Sequence, residues 1–195
     1  KINYSKKAPG NTSANLILFF NEDYKFNSSK KFLSNSELSY INDLLKTLDK
    51  KKNLLVFELN SKKKVIAISI KKDLTASGVE NLGAETFGQI NNKKNDEYFL
   101  ISESINSKIN NFLGHFLHGL KLKSYEFKKY KTKKDLRNIS INIFGNKNKN
   151  SVQNQIKFNA IEEGTFFARD LVSEPGNVLH PDEYAKRLNS LKKDG

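Results

Sequence analysis

Short apolar runs of strand length alternate with longer segments of helical periodicity along most of this chain, and this alternation restricts the fold more than any other feature. Each run is short enough for one strand and is rich in Leu, Ile, Val or Phe. In the last run, isoleucines alternate with polar residues, which predicts a strand with one face more exposed to solvent than the other. The predicted strands cover residues 16–20, 54–59, 65–70, 98–101 and 139–143.

Three segments between these runs have apolar residues at helical spacing. Ser34 and Glu37 form a predicted capping box ahead of an apolar face over residues 38–48. A weaker stripe covers residues 79–90, and the strongest stripe in the chain covers residues 105–120. The glycines of the weaker stripe favour close helix packing over phosphate binding, because their spacing does not form a phosphate loop. They are Gly78, Gly83 and Gly88.

The order of these elements predicts the fold class. Because strands alternate with helices, we expect an α/β fold, a layered, mixed and mostly parallel sheet flanked by helices. The runs 54–59 and 65–70 are separated by only a short polar segment, so we expect them to form an antiparallel hairpin within that sheet.

A polar stretch at residues 146–150 marks the predicted end of the α/β domain. A long helix is expected to follow, from about residue 151 to residue 172, with a stripe at Val152, Ile156 and Ala160 and broadly apolar last turns. Such a helix fits a connector between two domains, and it also fits the terminal helix of one domain.

Two prolines predict the boundary that follows this helix. Pro175 is expected to end it, and Pro181 with the acidic pair after it is expected to open the next helix, with His180 at the N-cap. The next helix carries Tyr184, Leu188 and Leu191, and nothing later in the chain is available to cover them.

The net charge of +13 has two interpretations. It fits a nucleic-acid or acidic-membrane partner. It also fits a surface rich in Lys and Asn that results from the codon bias of an AT-rich genome. We favour this second interpretation because Arg, the residue preferred for bidentate phosphate contacts, occurs only at positions 137, 169 and 187.

The absence of Cys excludes disulfides and thiolate metal sites. No apolar run approaches a membrane span of roughly 20 residues, so we expect a cytoplasmic protein without a membrane partner.

Two histidines and a lysine-rich segment are candidates for a metal site and for a nucleic-acid contact, respectively. His115 and His118 are three residues apart and could share a metal, but both are predicted to lie away from the apolar stripe, so we expect two exposed histidines. Residues 124–134 interleave three aromatics with five lysines, a pattern that suits stacking on bases and contact with phosphates. The alternative is a basic helix end followed by a solvated loop. The candidate nucleic-acid contacts are Lys128, Lys129, Lys131, Lys133 and Lys134.

The segment 124–134 also carries the first of two motifs that occur in a known order. Tyr125, Phe127, Tyr130 and Lys131 match the pattern Y-x-F-x-x-Y-K. Residues 169–181 resemble R-D-L-x-N-E-P-x-N-x-x-T-P, with Ser in place of the first Asn and His in place of Thr. A weaker match lies at residues 82–85. Together these segments resemble the N-terminal part of the leucyl (cytosol) aminopeptidase family.

The resemblance implies a parent enzyme with an N-terminal α/β domain similar to macro domains, a connecting helix and a C-terminal catalytic domain. The catalytic domain of this family holds two divalent metal ions, Mn or Zn, and removes N-terminal residues from peptides. Its members assemble as homo-hexamers, and some bacterial members also bind DNA. Macro domains bind ADP-ribose, although no loop of this sequence argues for that activity.

The resemblance divides the chain into three parts. We expect a macro-like domain at residues 1–148, an interdomain helix at residues 149–174, and the start of a catalytic domain, otherwise absent from the chain, at residues 175–195. The family's catalytic and metal-binding residues would lie beyond Gly195. We therefore assign no catalytic or metal residue, and we expect the chain alone to be inactive and to contribute to assembly and substrate access.

Overall fold

The computed structural model describes residues 1–9, 14–22, 24, 31–49, 52–90, 95–132, 138–145 and 151–193. Its centre is a six-stranded sheet in which every neighbouring pair is parallel except one. The strands are β1 (Ile2–Ser5), β2 (Asn15–Asn21), β3 (Leu54–Asn60), β4 (Lys63–Ile70), β5 (Asn95–Ile101) and β6 (Asn138–Phe144). Across the sheet they follow the order β1-β6-β5-β2-β4-β3.

The described residues also form five α-helices, and the predicted α/β class is confirmed. They are α1 (Asn35–Thr47), α2 (Ala76–Ile90), α3 (Phe112–Lys123), α4 (Val152–Ser173) and α5 (Pro181–Ser190). The antiparallel exception is the predicted hairpin of β3 and β4. No helix among the described residues is long and apolar enough to cross a bilayer.

The sheet separates two apolar clusters. Side chains of β2 alternate between them, as successive strand residues must: Ile17 and Phe19 pack with residues of α2 and α3, whereas Leu16 and Leu18 pack with residues of α1. Helices therefore cover both faces of the sheet, and its central strands are buried on both sides, which explains their continuous apolar sequence.

The start of α1 has the predicted capping box. The backbone N–H of Glu37 donates to the Ser34 hydroxyl over 3.3 Å, and the Ser34 N–H donates to the Glu37 carboxylate over 2.8 Å. The same carboxylate accepts a hydrogen bond over 2.8 Å from Lys63, whose side chain is only 1% exposed. The capping residue thus also neutralises a lysine buried at the start of β4.

Helices α2 and α3 touch at two glycines. A methyl group added to Gly83 would lie 2.0 Å from the carbonyl oxygen of Phe116, and one added to Gly119 would lie 1.9 Å from the carbonyl oxygen of Glu80. The predicted role of Gly83 in close helix packing is confirmed, whereas Gly88 faces open space.

Two predictions about helices were wrong in detail. The stripe over residues 105–120 does not form one helix, because α3 begins only at Phe112, after Asn111 in the left-handed conformation with φ 55°. Ile105 is fully buried from a connecting segment. The predicted stripe of α4 is exposed, with Val152 at 67% and Ile156 at 63%. The buried residues of α4 are instead Phe158 and Glu162.

Candidate functional site

The end of α4 is held against the segment that follows α3 by the buried carboxylate of Glu174, the residue immediately after α4. Lys129 donates to one of its oxygens over 2.5 Å, and the Tyr130 hydroxyl donates to the other. Arg187 of α5 donates to it over 3.0 Å. One carboxylate therefore connects three parts of the chain that are separated in sequence.

Hydrogen bonds explain the acidity of this carboxylate. The bond from Lys129, followed by that from Tyr130, lowers the pKa of Glu174 to about 2, although desolvation opposes the shift. The same bonds to Glu174 raise the pKa of Lys129 and of Tyr130. Glu174 is thus ionised and Lys129 protonated at neutral pH, which favours a permanent ion pair.

A second contact lies one helical turn earlier on α4. The hydroxyl of Tyr125 donates to Asp170 over 2.6 Å, and its ring packs on Phe166 with centroids 5.4 Å apart. Arg169 donates to the carbonyl oxygen of Leu122 over 2.6 Å, and its guanidinium lies 5.5 Å from the Tyr125 ring. Tyr125, Tyr130, Arg169 and Glu174 all belong to the two motifs identified in the sequence, so the structure brings these motifs together.

The first half of α4 is held by the two histidines of α3. His118 stacks on Phe158 with centroids 4.8 Å apart, and its Nδ1 lies 2.9 Å from the carboxylate of Glu162. His115 meets the same ring edge to face, and its Nδ1 lies 2.8 Å from Glu80 of α2. The expectation of two exposed histidines was therefore wrong, because His118 is only 5% exposed and His115 is half-buried.

The expectation of exposed histidines failed because the carboxylates that contact them come from other helices. Helical spacing within α3 identifies only partners on α3, and it cannot identify Glu80 or Glu162. Nothing in the sequence pattern distinguished Glu162 from its exposed neighbour Glu163. Among the residues that the structure describes, no group of three His, Asp or Glu side chains could hold a metal ion.

The three candidate nucleic-acid lysines that the structure describes have different surroundings. Lys128 lies 2.6 Å from Glu126, and Lys129 is bound to Glu174. Lys131 is exposed, whereas Lys133 and Lys134 lie outside the described residues. The role of these five lysines in nucleic-acid contact stays a prediction.

A short 3₁₀ turn at Ser102–Ser104 directly follows the carboxyl end of β5. The hydroxyl of Ser104 accepts the N–H of Phe19 over 2.9 Å and donates to the carbonyl oxygen of Ile101 over 2.6 Å. In open α/β sheets this edge is the usual position of a ligand. Here a side chain of the protein makes the hydrogen bonds that tie β2 to the end of β5.

His180 occupies the predicted N-cap position of α5, with Pro181 in the first turn, but its side chain makes no capping hydrogen bond. Asp182 and Glu183 instead place negative charge in the first turn of α5, where it interacts favourably with the helix dipole. Glu183 also accepts from Arg187 over 3.1 Å, so the residue that binds Glu174 is oriented from within α5.

No family model matches the chain. Among curated proteins it is similar to a probable cytosol aminopeptidase of a Bradyrhizobium strain, with 38% identity over 81 residues, covering 40% of this chain and 16% of that protein. A probable cytosol aminopeptidase of Clostridium perfringens is 28% identical over 135 residues, covering 65% of this chain and 27% of that protein. The chain therefore matches only a minor part of the length of these relatives.

Solved structures show the same fold. A mutant of tomato leucine aminopeptidase matches with a TM-score of 0.64 and 14% identity over 99% of this chain and 42% of that one. The cytosol aminopeptidase of Coxiella burnetii matches with a TM-score of 0.63 and 11% identity over 99% of this chain and 37% of that one. The predicted resemblance to the leucyl aminopeptidase family is confirmed for a part of the length of its members.

Proposed function

We propose that this chain is the N-terminal, non-catalytic part of a metal-dependent leucyl aminopeptidase that removes N-terminal residues from peptides. The observation that supports it best is the contact between the two family motifs, through Tyr130 and Glu174 and through Tyr125 and Asp170. Motifs 45 residues apart that pair with each other are explained by a shared structural role. The similarity to curated cytosol aminopeptidases supports the same proposal.

In this proposal residues 1–148 form a macro-like domain, residues 149–174 the interdomain helix, and residues 175–195 the start of the catalytic domain. The ion pairs at Glu174 would hold the connector at a fixed angle to the N-terminal domain, and so would govern assembly of a homo-hexamer and access of peptides. Tyr184 and Leu188 on α5 and Leu191 just after it are 40–43% exposed and offer an apolar face for the rest of the parent protein.

The metal ions of the parent enzyme do not fit the described part of this chain, because no suitable group of ligands occurs there. We therefore assign the two Mn or Zn ions, and the chemistry, to the remainder of the parent protein. We also place that protein in the cytoplasm, as the names of its relatives suggest.

Leucinamide hydrolysis tests this proposal. A longer protein that contains this chain together with the proposed catalytic domain should hydrolyse leucinamide when Mn²⁺ is added, whereas residues 1–195 should not. Hydrolysis by residues 1–195 alone would contradict the assignment, and so would a parent protein without activity.

A nucleic-acid-binding module is the second candidate, favoured by the net charge of +13. Binding through Lys128, Lys129 and Lys131 should fall steeply with salt, and substitution of these lysines should make that dependence shallower. A macro-like nucleotide-binding domain is a third candidate, tested by titration with ADP-ribose.

A further inference from the structure

A cavity of about 580 Å³ lies between the β1–β6 edge of the sheet, α3 and α4. This volume is within the usual range for small-molecule sites. Its walls combine an apolar surface with charged side chains from three different segments. The apolar residues include Ile90, Leu117, Leu120, Ile139, Ile141 and Phe158.

Charges of both signs line this cavity. Glu162, with its side chain only 4% exposed, forms an ion pair with Lys121, and Lys128 lies 2.6 Å from Glu126. Lys121 is 41% exposed and can move, whereas Glu162 is fixed by its contact with His118. The cavity is thus lined by two carboxylates, of Glu126 and Glu162, and by three lysines, Lys1, Lys121 and Lys128, and the carboxylate of Glu162 is the most deeply buried of the paired groups.

These charges select the kind of ligand. A purely anionic ligand, such as a phosphate, that draws Lys121 away would leave the buried carboxylate of Glu162 without its ammonium partner, which is costly at low dielectric. A purely cationic ligand that takes Glu162 would in turn leave Lys121 without its carboxylate. A zwitterion satisfies both signs, with its ammonium beside Glu162 and its carboxylate beside Lys121 or Lys128.

We propose that this cavity binds a free α-amino acid with an apolar side chain, with leucine as the representative ligand. The apolar wall takes the side chain, Glu162 takes the α-ammonium group, and the lysines take the α-carboxylate. The lining named here lies within the described residues of this chain, and the proposal does not depend on the proposed function. If both proposals hold, the ligand would be a product of the parent enzyme.

The test is a titration of the ¹⁵N-labelled 195-residue protein, followed by NMR, with L-leucine and three analogues. Leucinamide lacks the carboxylate, 4-methylpentanoate lacks the ammonium group, and glycine lacks the apolar side chain. We expect leucine to shift the amides of residues that line the cavity, and each analogue to bind at least about tenfold more weakly, since each loses a charge-assisted contact or the apolar one.

A matched pair of variants locates the ammonium contact. Glu162→Gln should weaken leucine binding at least about tenfold, whereas Glu163→Gln, an exposed neighbour on the same helix, should not change it. The proposal is overturned if leucine produces no saturable shifts, or if 4-methylpentanoate binds as tightly as leucine. The analogue series uses the unaltered protein, so it decides the question even if Glu162→Gln fails to fold. No step of this test measures peptidase activity, so its failure leaves the proposed function standing.

Discussion

At the scale of single residues, Glu174 accepts hydrogen bonds from Lys129, Tyr130 and Arg187, and these bonds hold its pKa at about 2. Because this pKa is below that of an unfolded glutamate, the group stabilises the folded state above about pH 4.5, and the contribution is lost as pH falls toward 2. We expect Glu174→Gln to lower the urea midpoint at pH 7 and to leave it almost unchanged near pH 2.

The measurement is urea unfolding at several pH values for the wild type, Glu174→Gln and Glu163→Gln. Glu163 is an exposed glutamate of α4, so its variant should follow the wild type throughout. An equal effect of Glu174→Gln at pH 7 and at pH 2 would contradict an origin in the charge of Glu174 and point to lost packing.

The sequence indicated some of these residues and not others. Tyr130 and Glu174 lie in motifs, so they could be singled out before the structure was known. The contact of His118 with Glu162 could not, because periodicity describes one helix at a time. A histidine and a glutamate 44 residues apart become partners only through the docking of α4 on α3.

At the scale of elements, continuous apolar runs predicted the central strands because those strands are buried on both faces. The edge strand β1 has no such run, since three of its four residues are only half-buried, and it was not predicted. The apolar stripe of α4 predicted the helix but not its buried face. That face is set by Phe158 and Glu162, which fit the histidines of α3.

The packing of α2 on α3 gives a prediction with a matched control in the same helix. Gly83→Ala should destabilise the protein by about 3 kcal/mol, because the added methyl group would lie 2.0 Å from a backbone oxygen of α3 and the helices would have to separate. Gly88→Ala, which faces open space, should stabilise it by about 0.5–1 kcal/mol. Urea denaturation of both variants checks the difference in sign. Equal destabilisation by the two substitutions would contradict the close contact at Gly83.

The docking of α4 on α3 depends on one aromatic ring. Phe158 is 9% exposed and packs against both His115 and His118. Phe158→Ala should cost about 2–4 kcal/mol, whereas Ile156→Ala, at a position 63% exposed, should change stability by less than about 0.5 kcal/mol. Thermal and urea unfolding measure both values. If the two variants behave alike, Phe158 does not anchor α4.

At the scale of the whole molecule, the polar contacts of α4 and α5 differ from the apolar core of the sheet. The two apolar clusters join the strands to α1, α2 and α3, while α4 is joined to α3 and the following segment through the ring of Phe158 and through the polar side chains of Glu162, Asp170 and Glu174. Ion pairs and hydrogen bonds fix an orientation but add modest net stability. A connector held this way keeps a defined angle and still opens at less cost than the core.

Hydrogen exchange of α5 tests whether this end of the chain continues into a further domain. In the 195-residue protein Tyr184, Leu188 and Leu191 are exposed, so the amides of α5 should exchange much faster than those of α3, whose apolar residues are buried. In the parent protein the apolar face of α5 should be covered, and its amides should become at least about tenfold more protected, because opening α5 would then also break that interface. The amides of α3 are the internal control, since they are buried in both proteins. Equal exchange of α5 in the two proteins would mean that its apolar face stays exposed, and the role proposed for residues 175–195 as the start of a catalytic domain would then be wrong.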